Sequence, residues 1–255
     1  MAISMLLLFT YHKVSAGTET GVRDFYTVTQ DQLAQHFEAL AATGRQCLSV
    51  SAVREQKPLS GNSFILSFDD GTADHIEIVL PKLRERGWTA TFFVPTAKLN
   101  KPGYLTDTQV RELAQAGHSI GFHSHEHRRL DLVTDDQMRE QISRSQQIIG
   151  NLIGGKPWLF APVGGFMNEH VREVALGFGA EVIRTMRWGY NETLDLTALE
   201  TIPINRYTDD AKFQKILQAR QTRYLYFGKQ AMKALVPTRA YEKLRTLLFK
   251  LAGRN

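Results

Sequence analysis

Residues Ser63 to Phe68 form a short, mostly apolar run that ends on Asp69, Asp70 and Gly71. Such a run reads as a buried strand, and the glycine after it can turn the chain. Two adjacent carboxylates at a strand end are the tightest constraint in the sequence, because like charges held close raise one another's pKa. A metal, a basic partner, or one acid kept protonated for chemistry would each resolve the conflict. For an Asp-Asp pair alone, an acidic turn or a helix cap is the simpler account.

The pair has company. A second apolar stretch, Ser119-Ile120-Gly121-Phe122, runs into His123, Ser124, His125, Glu126 and His127, so three of the chain's eight histidines fall within five residues. His123 and His127 stand four apart, and on a helical turn both imidazoles would project from one face. Two histidines and one carboxylate give a three-ligand site with an open position, the arrangement of catalytic and not of structural zinc.

Ser67-Phe68-Asp69-Asp70-Gly71 resembles the Thr-Phe-Asp-Asp-Gly motif of the polysaccharide deacetylases, the NodB-homology or carbohydrate esterase 4 group. His123-Ser124-x-x-His127, followed by Leu130, is similar to their His-Ser/Thr-x-x-His motif, and Tyr11-His12-Lys13-Val14 resembles a segment that opens many bacterial members. Weaker similarity runs from about residue 8 to residue 205. The resemblance implies Asp69 as catalytic base, with Asp70, His123 and His127 holding a divalent metal. It also implies an irregular, incomplete (β/α) barrel of about seven strands. His12 is a candidate acid or substrate contact, though a strand-end histidine bonded to backbone reads the sequence as well.

Two departures limit the transfer. Phe160-Ala161-Pro162-Val163-Gly164-Gly165 stands where the family's third motif carries an Arg that orients the base, and the Arg position is Ala161. Another cation must then serve Asp69, with Arg128, Arg129, Arg184 and Arg187 as unranked candidates. Pro162 and Gly164 are expected in the site wall, or in a plain turn. The family's late Leu-x-x-His acid is also missing, since no histidine follows His170. That leaves His12 as leading candidate for the acid. Trp188 and Tyr190 are candidates for a sugar-stacking wall, or for core.

The rest of the chain alternates strand and helix. Met5 to Thr10, Gln46 to Val50, Thr89 to Val94, Trp158 to Ala161, Glu181 to Thr185 and Leu199 to Ile204 read as further strands. Thr29-x-x-Gln32 and Thr134-x-x-Gln137 can form capping boxes. A helix is expected to follow each. Others are expected on Ile76, Leu80 and Leu83, from Thr106 to Ala116, and around Glu169 to Leu176. Alternation without an internal linker predicts an α/β fold with a parallel sheet. Chemistry at strand ends favours a barrel over a doubly wound sheet, which would carry a Gly-rich phosphate fingerprint more often.

The charge is uneven. Residues 220–255 hold nine Lys or Arg and one acid, Glu242, while the whole chain is at +5. Two regions are expected: a catalytic domain over 1–219 and a basic amphipathic helical extension over 220–255. From Thr238, Tyr241, Leu244, Leu248 and Leu251 lie at helical spacing, which suits either an anionic membrane surface or packing on the barrel. Nucleic acid is not expected, because no recognition motif accompanies the charge. The single cysteine, Cys47, suits a reducing compartment. Met5 to Thr10 is too short to span a membrane and lacks a basic leader. The expected placement is therefore cytoplasmic, with the tail on the inner membrane face as one option.

The residues support metal-assisted hydrolysis of an amide, with zinc as the first choice of ion. The expected reaction is N-deacetylation of an amino sugar in a polysaccharide or a lipid-linked precursor. A deformylase or other amidase would share every motif, and a carbohydrate-binding pseudoenzyme would account for the altered third motif. An amidohydrolase-type metal pair, suggested by His123-x-His125, lacks the further downstream histidines it needs.

Overall fold

The computed structural model describes residues 5–17, 24–55 and 63–218. The chain divides into two compact units, Met1–Phe213 and Gln214–Asn255. The basic extension expected from residue 220 onward lies outside the described residues, as does its amphipathic helix.

Among the described residues seven parallel strands close a ring: β1 (Leu6–Tyr11), β2 (Ser63–Phe68), β3 (Ala90–Val94), β4 (Ser119–Phe122), β5 (Leu159–Phe160), β6 (Val182–Trp188) and β7 (Leu199–Pro203). Each strand pairs with the next in sequence, and β7 returns to β1 through Phe9↔Ile202. This is the expected (β/α) barrel. Its irregularity is concentrated late, where β4 meets β5 only at Phe122↔Phe160 and the β6–β7 register shifts between Leu199 and Thr201. Strands buried on both faces read as continuous apolar runs, and β1, β2 and β3 are buried throughout. Where hydroxyls enter this interior they pair across strands. Thr10 Oγ1 lies 2.9 Å from Ser67 Oγ and 2.6 Å from Thr201 Oγ1, which joins β2, β1 and β7.

Helices α1 (Gln30–Ala42), α2 (Val50–Arg54), α3 (Leu80–Arg84), α4 (Asp107–Gln115), α5 (Asp135–Ile153) and α6 (Glu169–Gly177) fill connections around the ring. The Thr29/Gln32 and Thr134/Gln137 capping boxes both form, and Thr106/Gln109 makes a third. Each satisfies two of the amide donors orphaned at a helix start. Met138, Ile142 and Ile149 lie on the buried face of α5, as their spacing predicts.

Three local expectations are corrected. The strand expected over Gln46 to Val50 stops at Cys47, because Ser49 caps the start of α2 by accepting from Ala52 N. The helix expected on Ile76, Leu80 and Leu83 opens as a π-turn over His75–Val79 and becomes α-helical only at Leu80. The extra residue per turn buries His75 and Val79 and leaves Ile76 half-buried. Finally, His123 to His127 is a loop and not a helical turn, with Ser124 and His127 in left-handed backbone at φ 56° and 60°.

Strand register places the site. Tyr11↔Phe68 pairing brings His12 beside Asp69, whose amide donates to Tyr11 O at 3.0 Å. Val94↔Phe122↔Phe160 brings His123 beside Ala161. Both motifs therefore emerge at the C-terminal ends of β2 and β4, which flank β3, on the side where barrels gather chemistry. Close approach at Gly121 allows this: a Cβ there would stand 2.5 Å from the Phe93 ring. Gly121→Ala should cost about 1–3 kcal/mol by overpacking, read from urea unfolding. An unchanged midpoint would show that β3 and β4 pack more loosely.

Candidate active site

Asp69 ends β2 almost wholly buried, with 2% of its surface exposed. Across the barrel, Arg184 on β6 reaches it, and the guanidinium Nη2 donates to both carboxylate oxygens. Arg184 is itself 1% exposed and lies 4.9 Å over the Phe93 ring. Its Nε and Nη1 are buried with no hydrogen-bond partner among the described residues. Of the four arginines the sequence left unranked, the other three go elsewhere. Arg128 pairs with Glu126, Arg129 with Asp131 and Arg187 with Glu200.

Asp70 points away from its neighbour. Its backbone is left-handed, φ 74°, and Gly71 follows at 59°. For a residue with a Cβ that conformation is strained, and such strain collects at functional sites. The kink separates the two carboxylates, sending Asp69 to Arg184 and Asp70 to the histidines. Asp70 Oδ1 lies 2.9 Å from His127 Nε2 and 3.6 Å from His123 Nε2. Burial pushes the Asp70 carboxyl up. The close His123 and His127 rings, with the charge of His12, outweigh that and hold it well below the usual carboxylate range.

The three ligand atoms of Asp70, His123 and His127 all lie within 4.8 Å of one another. Donors around a tetrahedral ion with bonds of 2.0–2.2 Å stand roughly 3.3–3.6 Å apart, so the cluster fits one divalent ion with small adjustments. The tautomer fits as well. His123 Nδ1–H donates to Ala161 O at 2.7 Å, which leaves the Nε2 lone pair for a metal. Ala161, at the position that lacks the expected arginine, thus serves the site through its backbone.

The loop that carries the histidines is held by α5 and by the segment after β3. Gln141 accepts from Glu126 N and donates to Glu126 Oε2, and Ser145 Oγ donates to Ser124 O. Ala97 N donates to His125 O, and Thr96 Oγ1 meets His125 Nδ1 at 2.8 Å. His125 is therefore a scaffold residue beside the triad. These contacts fix a left-handed loop without regular secondary structure.

His12 follows β1, with its Nε2 3.7 Å from Asp69 Oδ2 and its ring stacked on Tyr26 at 4.3 Å. Burial lowers its pKa and the positive charges of Arg184 and His123 add to this. The carboxylates of Asp69 and Asp70 oppose the shift without cancelling it. Pro162 and Gly164 sit directly after Ala161 in a tight turn, Gly164 at φ 63°. Trp188 ends β6, paired in register with Thr201 and edge-on to Tyr190 at 5.1 Å. His170 lies on α6, paired with Asp135 at 2.6 Å. The sequence reading missed Tyr26, Gln141 and Ser145, since nothing in their local pattern marks them as neighbours of the site.

Among the described residues, no helix is long and apolar enough to cross a membrane. Residues 56–183, half of the chain, match the family model for polysaccharide deacetylase. A peptidoglycan-N-acetylglucosamine deacetylase of Bacillus cereus is 30% identical over 159 residues, covering 60% of this chain and 57% of the relative. The chain spans about 60% of the length of the first curated relatives it matches. Among solved structures, the Streptococcus pyogenes deacetylase PplD in complex with acetate superposes with a TM-score of 0.75 at 20% identity, covering 85% of this chain and 98% of that one. A de-N-acetylase from Aggregatibacter actinomycetemcomitans gives 0.74 at 21%, covering 83% and 99%. At such identities the likeness is one of fold, and it agrees with the seven-stranded ring. By its sequence match and the fold that accompanies it, this chain belongs to the polysaccharide deacetylase family.

Proposed function

We propose that the protein is a metal-dependent N-deacetylase that hydrolyses the acetamido group of an amino sugar. The observation that carries this reading is the division of labour between the two aspartates. Asp70 joins His123 and His127, while Asp69 is withheld from that cluster and held by Arg184. A buried ion pair is weak evidence of stability, since the cost of desolvation cancels much of its attraction. A base that must stay oriented and unligated gives this one a reason.

Asp70, His123 and His127 would hold the ion, zinc being the first choice for one oxygen and two nitrogen donors. When bound, it would supply Lewis acidity toward the acyl oxygen and lower the pKa of a water. Asp69 takes the proton of the attacking water, with Arg184 keeping both its oxygens in place. Collapse of the tetrahedral intermediate then requires a proton on the leaving amine. His12 is the group we assign to deliver it. Its Nε2 stands 3.7 Å from Asp69, close enough for one proton to pass from base to acid with a small closure. Pro162, Gly164 and Trp188 are assigned to the wall that receives the sugar. The retained Asp69 argues against a carbohydrate-binding pseudoenzyme.

A lipid-linked sugar at an anionic membrane is the narrower option, and it rests on the basic sequence of residues 220–255. Acid release from a panel of free N-acetylated oligosaccharides and lipid-linked acetamido and formamido sugars separates the cases, with Asp69→Asn as control. Acetate absent in the control supports the deacetylase, and formate alone would move the assignment to a deformylase. No acid from any member with metal bound would overturn the enzymatic reading.

Arg184→Met should leave the buried Asp69 charge unpaired and cost about 3–5 kcal/mol, while Asp69→Asn with Arg184→Met should recover most of that stability. Neither variant should turn over substrate at more than about 1% of the wild-type rate. Chemical denaturation and acid release together check this, and an active Arg184→Met would remove the arginine from the account.

A further inference from the structure

Asp74 and His75 are buried, polar and unused by the reaction just described. They follow the metal-binding carboxylate by four and five residues, at the start of the π-turn. His75 is 0% exposed, its ring packed 5.5 Å from both Phe68 and Phe92. From this apolar setting its Nε2–H donates to His12 O at 3.0 Å, while its Nδ1 has no partner among the described residues. Asp74 is 7% exposed, and its Oδ2 accepts from Val14 N at 2.8 Å. One turn thus grips the chain on both sides of Lys13. In a dry surrounding each such bond is strong, and leaving either group unpaired is costly.

The reason for placing two polar groups here lies in what they hold. His12 lies just past the end of β1, where the ladder with β2 stops at Tyr11↔Phe68. Beyond that point its backbone carbonyl is fixed by His75, the Val14 amide two residues on by Asp74, and its ring by stacking on Tyr26. π-Turns of this kind occur often at functional sites, since the extra residue redirects side chains that an α-helix would aim elsewhere. Here it turns His75 into the barrel wall behind His12.

We propose that Asp74 and His75 are positioning residues, which clamp the His12 segment to the element bearing Asp69 and Asp70 and so set the distance between the proton acceptor and the proton donor. The inference rests on the roles assigned above to Asp69 and His12. It makes the Asp69–Val79 segment a single device, with base, metal ligand, turn and clamp all within Asp69 to His75.

The test uses the full chain loaded with zinc, assayed on an N-acetylglucosamine oligomer. His75→Leu keeps apolar contact with Phe68 and Phe92 but loses the donor. Its kcat should fall about 100-fold, the order expected when a reacting group is misplaced by an ångström. KM and zinc content should stay at the wild-type values. His75→Gln, which can present an amide donor near the Nε2 position, should recover most of the rate. Asp74→Ala should behave like His75→Leu, and Asp74→Asn, which keeps an acceptor, like the wild type; this pair carries the test if His75→Leu does not fold. Wild-type kcat in both His75→Leu and Asp74→Ala would overturn the proposal, as would a loss of zinc in proportion to activity. If the wild-type protein releases no acid, the functional reading fails by itself. The crystal structure of His75→Leu then decides the clamp: a displaced His12 ring supports it, and an unmoved ring overturns it.

Discussion

The ion pair between Asp69 and Arg184 spans the barrel from β2 to β6, and much of the site is arranged around the need to keep it. Both side chains are almost fully buried, where an unpaired charge is costly, so neither can be placed without the other. Phe93 supports the guanidinium from β3, and Gly121 on β4 gives Phe93 its room. Because Asp69 is engaged with Arg184, the strained backbone of Asp70 can send the second carboxylate to the histidines. The separation of the two acids is therefore a property of four strands and not of the Asp-Asp motif alone.

The barrel was legible because its strands are buried on both faces and separated by capped helices. Continuous apolar runs such as Leu6 to Phe9 and threonine capping boxes are local signals, and local signals survive in a sequence. The clustering of Asp70, His123 and His127 was legible for a related reason, since the two motifs follow strand ends with recognisable spacing. The local geometry of that spacing was misread. A separation of four suggested a helical turn, whereas His123 and His127 converge through left-handed residues held by Gln141 and Ser145 of α5. Nothing near residue 123 announces those tertiary partners.

Arg184 illustrates the other limit. Its β6 position is 115 residues from Asp69, and four arginines were equally eligible until the barrel closed. The absence of an arginine at residue 161 indicated that a cation was missing, while only topology could say which strand supplies it. The π-turn was hidden in the same way. Ile76, Leu80 and Leu83 fit an α-helical face, and the π-turn instead buries His75, which bonds His12 O 63 residues away. In each case the residue type was visible and the partner was not.

The central claim is that adjacent aspartates have separate tasks, one holding metal and the other left free of it. Zinc binding by calorimetry to Asp69→Asn and to Asp70→Asn measures this directly. The account predicts one ion per chain with near wild-type affinity in Asp69→Asn, though that variant is inactive, and an affinity lower by at least about tenfold in Asp70→Asn. Loss of zinc from Asp69→Asn, or undiminished binding by Asp70→Asn, would contradict it.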